Sequence, residues 1–235
     1  MRRVFLGVVF ILLGSAVAAA QDTASPLERL IDTDYSLRLP VHECTVPGTV
    51  AGLARRFHFN AGVEYLPVDC QLHWRQTASN GESVNLRGLT IREALGKLSA
   101  LDPRYRWAES DGLIVMRPLE AWADPKNLLN YTAGSFELTD VNFGGALDAV
   151  VSALTGEQHS TAASLAERTE QGARRFSVRA GATSAAAALD AIVRQHGNAW
   201  WEVRLGVVQQ KQLVPMIWLH THDDSGMGKS AVRLR

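Results

Sequence analysis

Apolar and polar positions along this chain repeat one pattern twice. Residues 84–117 carry Val84-Asn85-Leu86, Gly88-Leu89-Thr90, the pair Ala94-Leu95 followed by Leu98, then Tyr105, Trp107 and Gly112-Leu113-Ile114-Val115. Residues 176–208 carry Phe176-Ser177-Val178, Gly181 and Thr183, Ala188-Leu189 followed by Ile192, then Trp200-Trp201 and Gly206-Val207-Val208. The spacing from Leu95 to Trp107 equals that from Leu189 to Trp201. Alternating apolar positions predict half-buried strands, and apolar positions three or four apart predict helices. The repeated unit is therefore strand, helix, then aromatic hairpin.

The pattern extends upstream in each copy. Tyr35, Leu37, Leu39 and Val41 alternate as a strand. Val46, Val50, Leu53, Ala54 and Phe57 fall at helical spacing behind Thr45, a candidate cap, and Pro47 suits a first turn. Ala61 to Leu66 reads as a strand ended by Pro67. Asn80-Gly81 marks a turn, and Val84 to Arg87 is the next strand. Thr90 and Glu93 form a capping-box pattern before the stripe Ile91, Leu95, Leu98 and Leu101. A connector spans 119–134, where Trp122 is expected to pack on a neighbour. In the second copy Phe136 and Leu138 open the unit, and Val141, Phe143, Leu147, Val150 and Leu154 line a helix. Residues 155–173 are a polar insertion where the first copy has a strand. Ser184 to Gln195 is an alanine-rich helix stopped at Gly197, and Lys211 to Leu219 adds a strand. The predicted fold class is α+β: two βαββαββ repeats with small mixed sheets packed on paired helices, over residues 35–118 and 135–219. Residues 21–34 form a leader and 220–235 a polar tail.

Residues 1–20 read as a secretory signal peptide: Arg2-Arg3, an apolar run from Val4 to Val17, and the small-residue end Ala18-Ala19-Ala20. A retained anchor is the alternative, but the run is shorter than the ~18–20 residues a bilayer requires. The chain balances 24 basic against 24 acidic residues, and loss of Arg2 and Arg3 leaves 22 against 24, a net charge of −2. That balance excludes nucleic acid as the main partner. No later segment is apolar enough for membrane insertion after signal cleavage. In an oxidising compartment Cys44 and Cys70 read as a disulfide closing a loop of about 25 residues, worth about 3 kcal/mol. The alternative, a two-thiolate metal site, has no partners at finger spacing.

The run Val84-Asn85-Leu86-Arg87-Gly88-Leu89-Thr90-Ile91-Arg92-Glu93-Ala94-Leu95, with Tyr105-Arg106-Trp107 and Asp111-Gly112-Leu113-Ile114-Val115-Met116, resembles the short N-terminal domain shared by secretins and TonB-dependent receptors. The second copy resembles it less closely, because Thr183 sits one residue further from its Leu. The resemblance implies a periplasmic adaptor domain that binds proteins, often by adding a strand to a sheet edge, and it brings no catalytic residues. No secretin barrel or receptor plug follows in this sequence, so the gating and transport roles of those families do not carry over.

Candidate chemistry is sparse. His220-Thr221-His222-Asp223-Asp224 could turn two imidazoles to one face of a strand; the competing reading is a solvated tail. Gly226-Met227-Gly228-Lys229-Ser230 lacks the leading glycine of a phosphate loop, since Asp223 stands there. No G-x-S-x-G elbow is present, and Glu64 with Asp69 reads as a solvated edge pair. Of Trp200 and Trp201, one ring is expected in the core and one at the surface. No enzyme activity, cofactor or metal is expected. The expected function is an exported docking protein of the bacterial envelope, periplasmic or secreted, that binds a protein partner through a sheet edge. The hairpin Trp200 to Gln209 is the expected surface, with Trp200, Trp201, Glu202 and Arg204 as contacts. The alternative is a periplasmic protein that binds a small molecule or metal in the inter-repeat cleft or at His220 and His222.

Overall fold

The computed structural model describes residues 25–39, 41–68, 70, 83–155, 174–207, 213–222 and 229–233. The signal-peptide reading, Asp69 and most of the 155–173 insertion lie outside them. Local chemistry sets the element boundaries. In the first unit these are β1 (Ser36–Arg38), α1 (Thr45–Phe57), β2 (Ala61–Glu64), β3 (Ser83–Asn85), α2 (Ile91–Leu101), β4 (Tyr105–Ser110) and β5 (Leu113–Pro118). Two 3-10 turns, Glu120–Trp122 and Leu128–Asn130, carry the connector. The second unit holds β6 (Thr132–Val141), α3 (Phe143–Thr155), β7 (Phe176–Ser184), α4 (Ala185–His196), β8 (Ala199–Val207), β9 (Leu213–Thr221) and β10 (Lys229–Arg233).

The caps explain the helix starts. Thr90 accepts from the Glu93 amide while the Glu93 carboxylate accepts from the Thr90 amide, closing a capping box at α2. Those bonds, first the one from the Thr90 amide, lower the Glu93 pKa. Ser184 accepts from the Ala187 amide at α4, and Gly197 ends that helix in the left-handed conformation. At α1 the expected Thr45 cap gives way to Cys44, which makes no side-chain cap bond. The Thr45 hydroxyl instead accepts from the His42 amide at 3.0 Å. Cys44 is bonded to Cys70, so the disulfide anchors the start of α1.

The fold is mixed α+β, as the pattern predicts, with four helices and ten strands among the described residues. β1 pairs with β3 and β6 with β7, each as a small antiparallel ladder. The remaining strands form one sheet in the order β10-β9-β8-β2-β5-β4. β2 runs parallel to both β5 and β8, so it joins the closing hairpins of the two units. Because side chains alternate along a strand, one sheet serves two cores. Ile114, Met116 and Trp200 enter the core of α1 and α2. Leu113, Val115, Trp201 and Val203 enter the core of α3 and α4. The continuous apolar run Leu113-Ile114-Val115-Met116 is what a strand covered on both faces requires.

Two expectations change. The leader is not merely polar: Leu27 and Ile31 are buried in the first core, and Ile31 exchanges backbone bonds with Leu89 and Gly88. The segment from 220 is not a solvated tail: His220 and Thr221 end β9, and Lys229–Arg233 forms β10. That strand excludes a phosphate-loop geometry for Lys229 and Ser230. Topology explains its place. The first unit's half of the sheet runs β4-β5-β2 and the second unit's half runs β8-β9-β10, so β10 fills the slot that β2 fills in the first unit, in the opposite direction.

The contact at β2 is tight. Gly62 faces Trp201, and a Cβ at Gly62 would lie 2.2 Å from the indole. Gly62→Ala must displace a fully buried ring between two cores, and is expected to cost about 3 kcal/mol, the upper end for overpacking, measured by chemical denaturation.

Candidate functional site

β8 lies between β9 and β2, with helices over both faces of the sheet. Trp200 is 7% exposed, Trp201 0% and Glu202 3%, and Arg204 is half-buried. The expected contact surface on this hairpin is therefore corrected: its residues are interior because a second core covers the face that a single repeat would leave open. The same fact overturns the expectation of one buried and one exposed tryptophan. The rings do point to opposite faces, but both faces are covered.

On the first-unit face these residues build a stacked group. The Trp200 and His220 rings stack at 3.9 Å, a tilt of 10°. Trp218 lies in line beyond His220, and the Arg204 guanidinium sits over Trp218 at 5.4 Å. Glu202 stands among them, with Oε1 3.1 Å from Arg204 Nε and 3.3 Å from His220 Nε2. Burial raises the pKa of neighbouring Tyr65 well above its usual value, and Glu202 adds to the rise. His220 is thus held in packing, whereas His222 lies beside the His58 ring, at 5.4 Å. The sequence pairs His220 with His222; the fold brings His222 to a histidine at the end of α1.

A second polar group crosses the other face. Arg117 donates to Glu64 (Nε to Oε2, 2.6 Å), to Asn130 and Asn127, and to the Ala121 carbonyl. Asn127 in turn donates to Glu64 Oε1 at 2.6 Å, and Arg117 lies over Trp122. Glu64 is therefore not a solvated edge residue; it anchors the connector to the middle of the sheet. On α4, Asp190 accepts from Trp201 Nε1 at 2.8 Å. Burial raises its pKa, and the bond from Trp201 only partly opposes this.

Among the described residues, β4 is one of the two terminal strands of the six-stranded sheet, β10 being the other. β4 pairs with β5 over Tyr105–Ser110 without a register shift. Arg106, Glu109 and Ser110 are exposed, while Trp107 and Ala108 are half-buried. At its Tyr105 end a groove of about 610 Å³ is lined by Leu66, Pro67, Val68, Pro103, Pro118 and Leu119 together with the charged residues Glu43, Arg104 and Glu120. Leu119 is 52% exposed. Tyr105 braces the wall: its hydroxyl donates to the Glu43 carbonyl at 2.8 Å and accepts from the Leu66 amide at 3.0 Å. Burial raises its pKa as well. Nothing in the periodicity distinguishes this edge from the others; the prolines at 67, 103 and 118 were its only trace in the sequence.

Among the described residues no group of three or more His, Cys, Asp or Glu is placed to hold a metal ion, and no helix is long and apolar enough to cross a membrane.

Arg117→Ala strands the Glu64 carboxylate in the interior and is expected to cost about 3–5 kcal/mol, whereas replacing both partners by apolar residues recovers most of that loss; denaturant titration of the two variants checks it. The raised pKa of Asp190 means that the folded state holds this proton more tightly than the unfolded state. Its contribution is complete below the ordinary carboxylate value of 3.8 and is lost as pH rises through the raised one. Asp190→Asn removes that slope while keeping an acceptor for Trp201. It should gain on the wild type as pH rises through this window, then hold a constant lead, in thermal melts taken across pH. The chain matches no protein-family model, no curated protein and no solved structure.

Proposed function

We propose that this chain is an exported, non-enzymatic adaptor of the bacterial envelope, built from two fused secretin/TonB-type units, that binds an extended segment of a protein partner along β4. The observation that carries the reading is a regular edge strand continuous with an apolar groove. An added strand would satisfy the outward backbone groups of β4, and one of its apolar side chains would seat against Leu119 and the three prolines. The exposed charges Arg106 and Glu109 along the strand disfavour indiscriminate pairing, so the partner segment carries complementary charges at those positions.

Two further facts support it. The first unit has the element order on which the secretin/TonB resemblance rests, and the Cys44–Cys70 disulfide suits an oxidising compartment such as the periplasm. The charged groups on each face are paired within that face, Glu64 with Arg117 on one and Glu202 with Arg204 on the other, which is the setting of a scaffold rather than of a reaction centre.

Photo-crosslinking in the native envelope tests the proposal. A crosslinking residue at Arg106 or Glu109 should capture one specific envelope protein, and the same residue at Lys97 on α2 should not. Equal capture at all three positions, or none at β4, would count against edge docking.

A further inference from the structure

We infer that Arg29, Thr33 and Arg56 form a binding site for a phosphate monoester, in a cavity between the leader and the end of α1. The cavity holds about 370 Å³, and Arg29, Asp32, Thr33, Arg56 and His58 line it, with Leu30 as an apolar wall. The two guanidiniums are held by bonds that cross between the leader and the helix. Arg29, on the leader, donates Nη1 to the Phe57 carbonyl at the end of α1. Arg56, in the last turn of α1, donates Nε to the Thr33 hydroxyl of the leader at 3.0 Å. Each bond positions a side chain and uses one corner of its guanidinium. Arg29 keeps its Nε–Nη2 edge and Arg56 its Nη1–Nη2 edge, and such an edge is the fork that grips a phosphate through two N–H bonds.

Neither fork has a counterion in the fold. Among the described residues, neither arginine takes part in an ion pair, and the nearby acids of the leader are engaged elsewhere: Glu28 with Arg92 at 2.9 Å and Asp34 with Arg87 at 3.3 Å. Asp32 lines the cavity without pairing with either. Arg29 and Arg56 thereby differ from Arg104, Arg117, Arg175 and Arg204, whose charges are met by carboxylates of the fold. An anion here is opposed by Asp32 and by the C-terminal carbonyls of α1, which carry a partial charge of about half a unit. Two guanidinium charges outweigh both, and Arg29 already engages one of those carbonyls.

The donor set selects the ligand. Two forks give four N–H donors, and the Thr33 hydroxyl, which accepts from Arg56 and keeps its own proton to donate, gives a fifth. A carboxylate offers about four lone-pair sites, whereas the three terminal oxygens of a phosphate monoester offer more. His58, exposed at the left-handed end of α1, adds a further donor to the same cavity. Asp32 supplies an acceptor for a hydroxyl of the ester's organic part, and Leu30, 57% exposed, supplies an apolar surface for it. The cavity is larger than a bare phosphate and leaves room for that part. The phosphate belongs to a soluble ester or to a lipid headgroup, and the recognition is the same for both. The inference does not rest on docking at β4.

Calorimetric titration of the purified protein with glycerol 3-phosphate tests it, together with sedimentation on phosphatidylcholine vesicles with and without phosphatidic acid. The wild type is expected to bind one glycerol 3-phosphate per chain, which marks a soluble ester, or to sediment only with the phosphatidic acid vesicles, which marks a lipid headgroup. Arg56→Gln is expected to weaken that binding at least tenfold. Arg29→Lys keeps the charge and loses the fork, and is expected to weaken it by about as much. Arg55→Gln removes an exposed arginine that neighbours Arg56 but lies outside the cavity, and should leave binding within about twofold. Circular dichroism should be unchanged in all three variants. No binding of either probe by the wild type, wild-type affinity in Arg56→Gln or Arg29→Lys, or a loss in Arg55→Gln as large as in Arg56→Gln would overturn the inference.

Discussion

The pairing of β2 with β8 is the constraint on which the rest of this structure depends. A parallel bond between strands of different units, Ala61 beside Trp200 through Glu64 beside Val203, turns two small sheets into one. Once the sheet is continuous, each face needs its own cover, and the two helix pairs supply it. That arrangement explains why Gly62 has no side chain, why Trp200 and Trp201 are both interior, and why β5 is apolar on both faces.

It also explains the buried charges. Glu64 and Arg117 occupy positions that would be solvated at the rim of a single repeat. Fusion of the sheets carries them inside, where each is tolerated only because the other neutralises it and because Asn127 and Asn130 fill the remaining bonds. Glu202 with Arg204 and His220 is the counterpart on the opposite face. Such networks contribute little net stability against an apolar replacement. Their geometry is directional, however, and fixes how the connector and the second hairpin sit on the sheet.

Local features were legible in the sequence. The Thr90–Glu93 box, the Gly197 stop and the disulfide all rest on interactions between near neighbours or on compartment chemistry, and these follow from residue type alone. The α+β class followed from periodicity. What stayed hidden was long-range. Alternation shows that Trp200 and Trp201 point to opposite faces, but not that another unit covers the second. Lys229-Ser230-Ala231-Val232-Arg233 is too polar to announce a strand, and becomes one because β9 offers an unpaired edge. His58 and His222 carry no shared motif, and only the path of β2 between the hairpins makes them neighbours. The candidate contacts failed for the same reason: a hairpin that is an edge in one repeat is an interior in two.

The β2–β8 bond has a kinetic side. Its strands are separated by most of the chain, so the order in which surfaces close is set by loop entropy rather than by local propensity. The first hairpin can settle on β2 early, because β5 is close in sequence. Until β8 arrives, the other side of β2 stays unpaired, an apolar strand with a glycine at its centre and no charge before Glu64. For that interval the molecule is a sticky half-sheet. A partner or chaperone that holds the incomplete edge would act on the strand pairing with the longest loop to close.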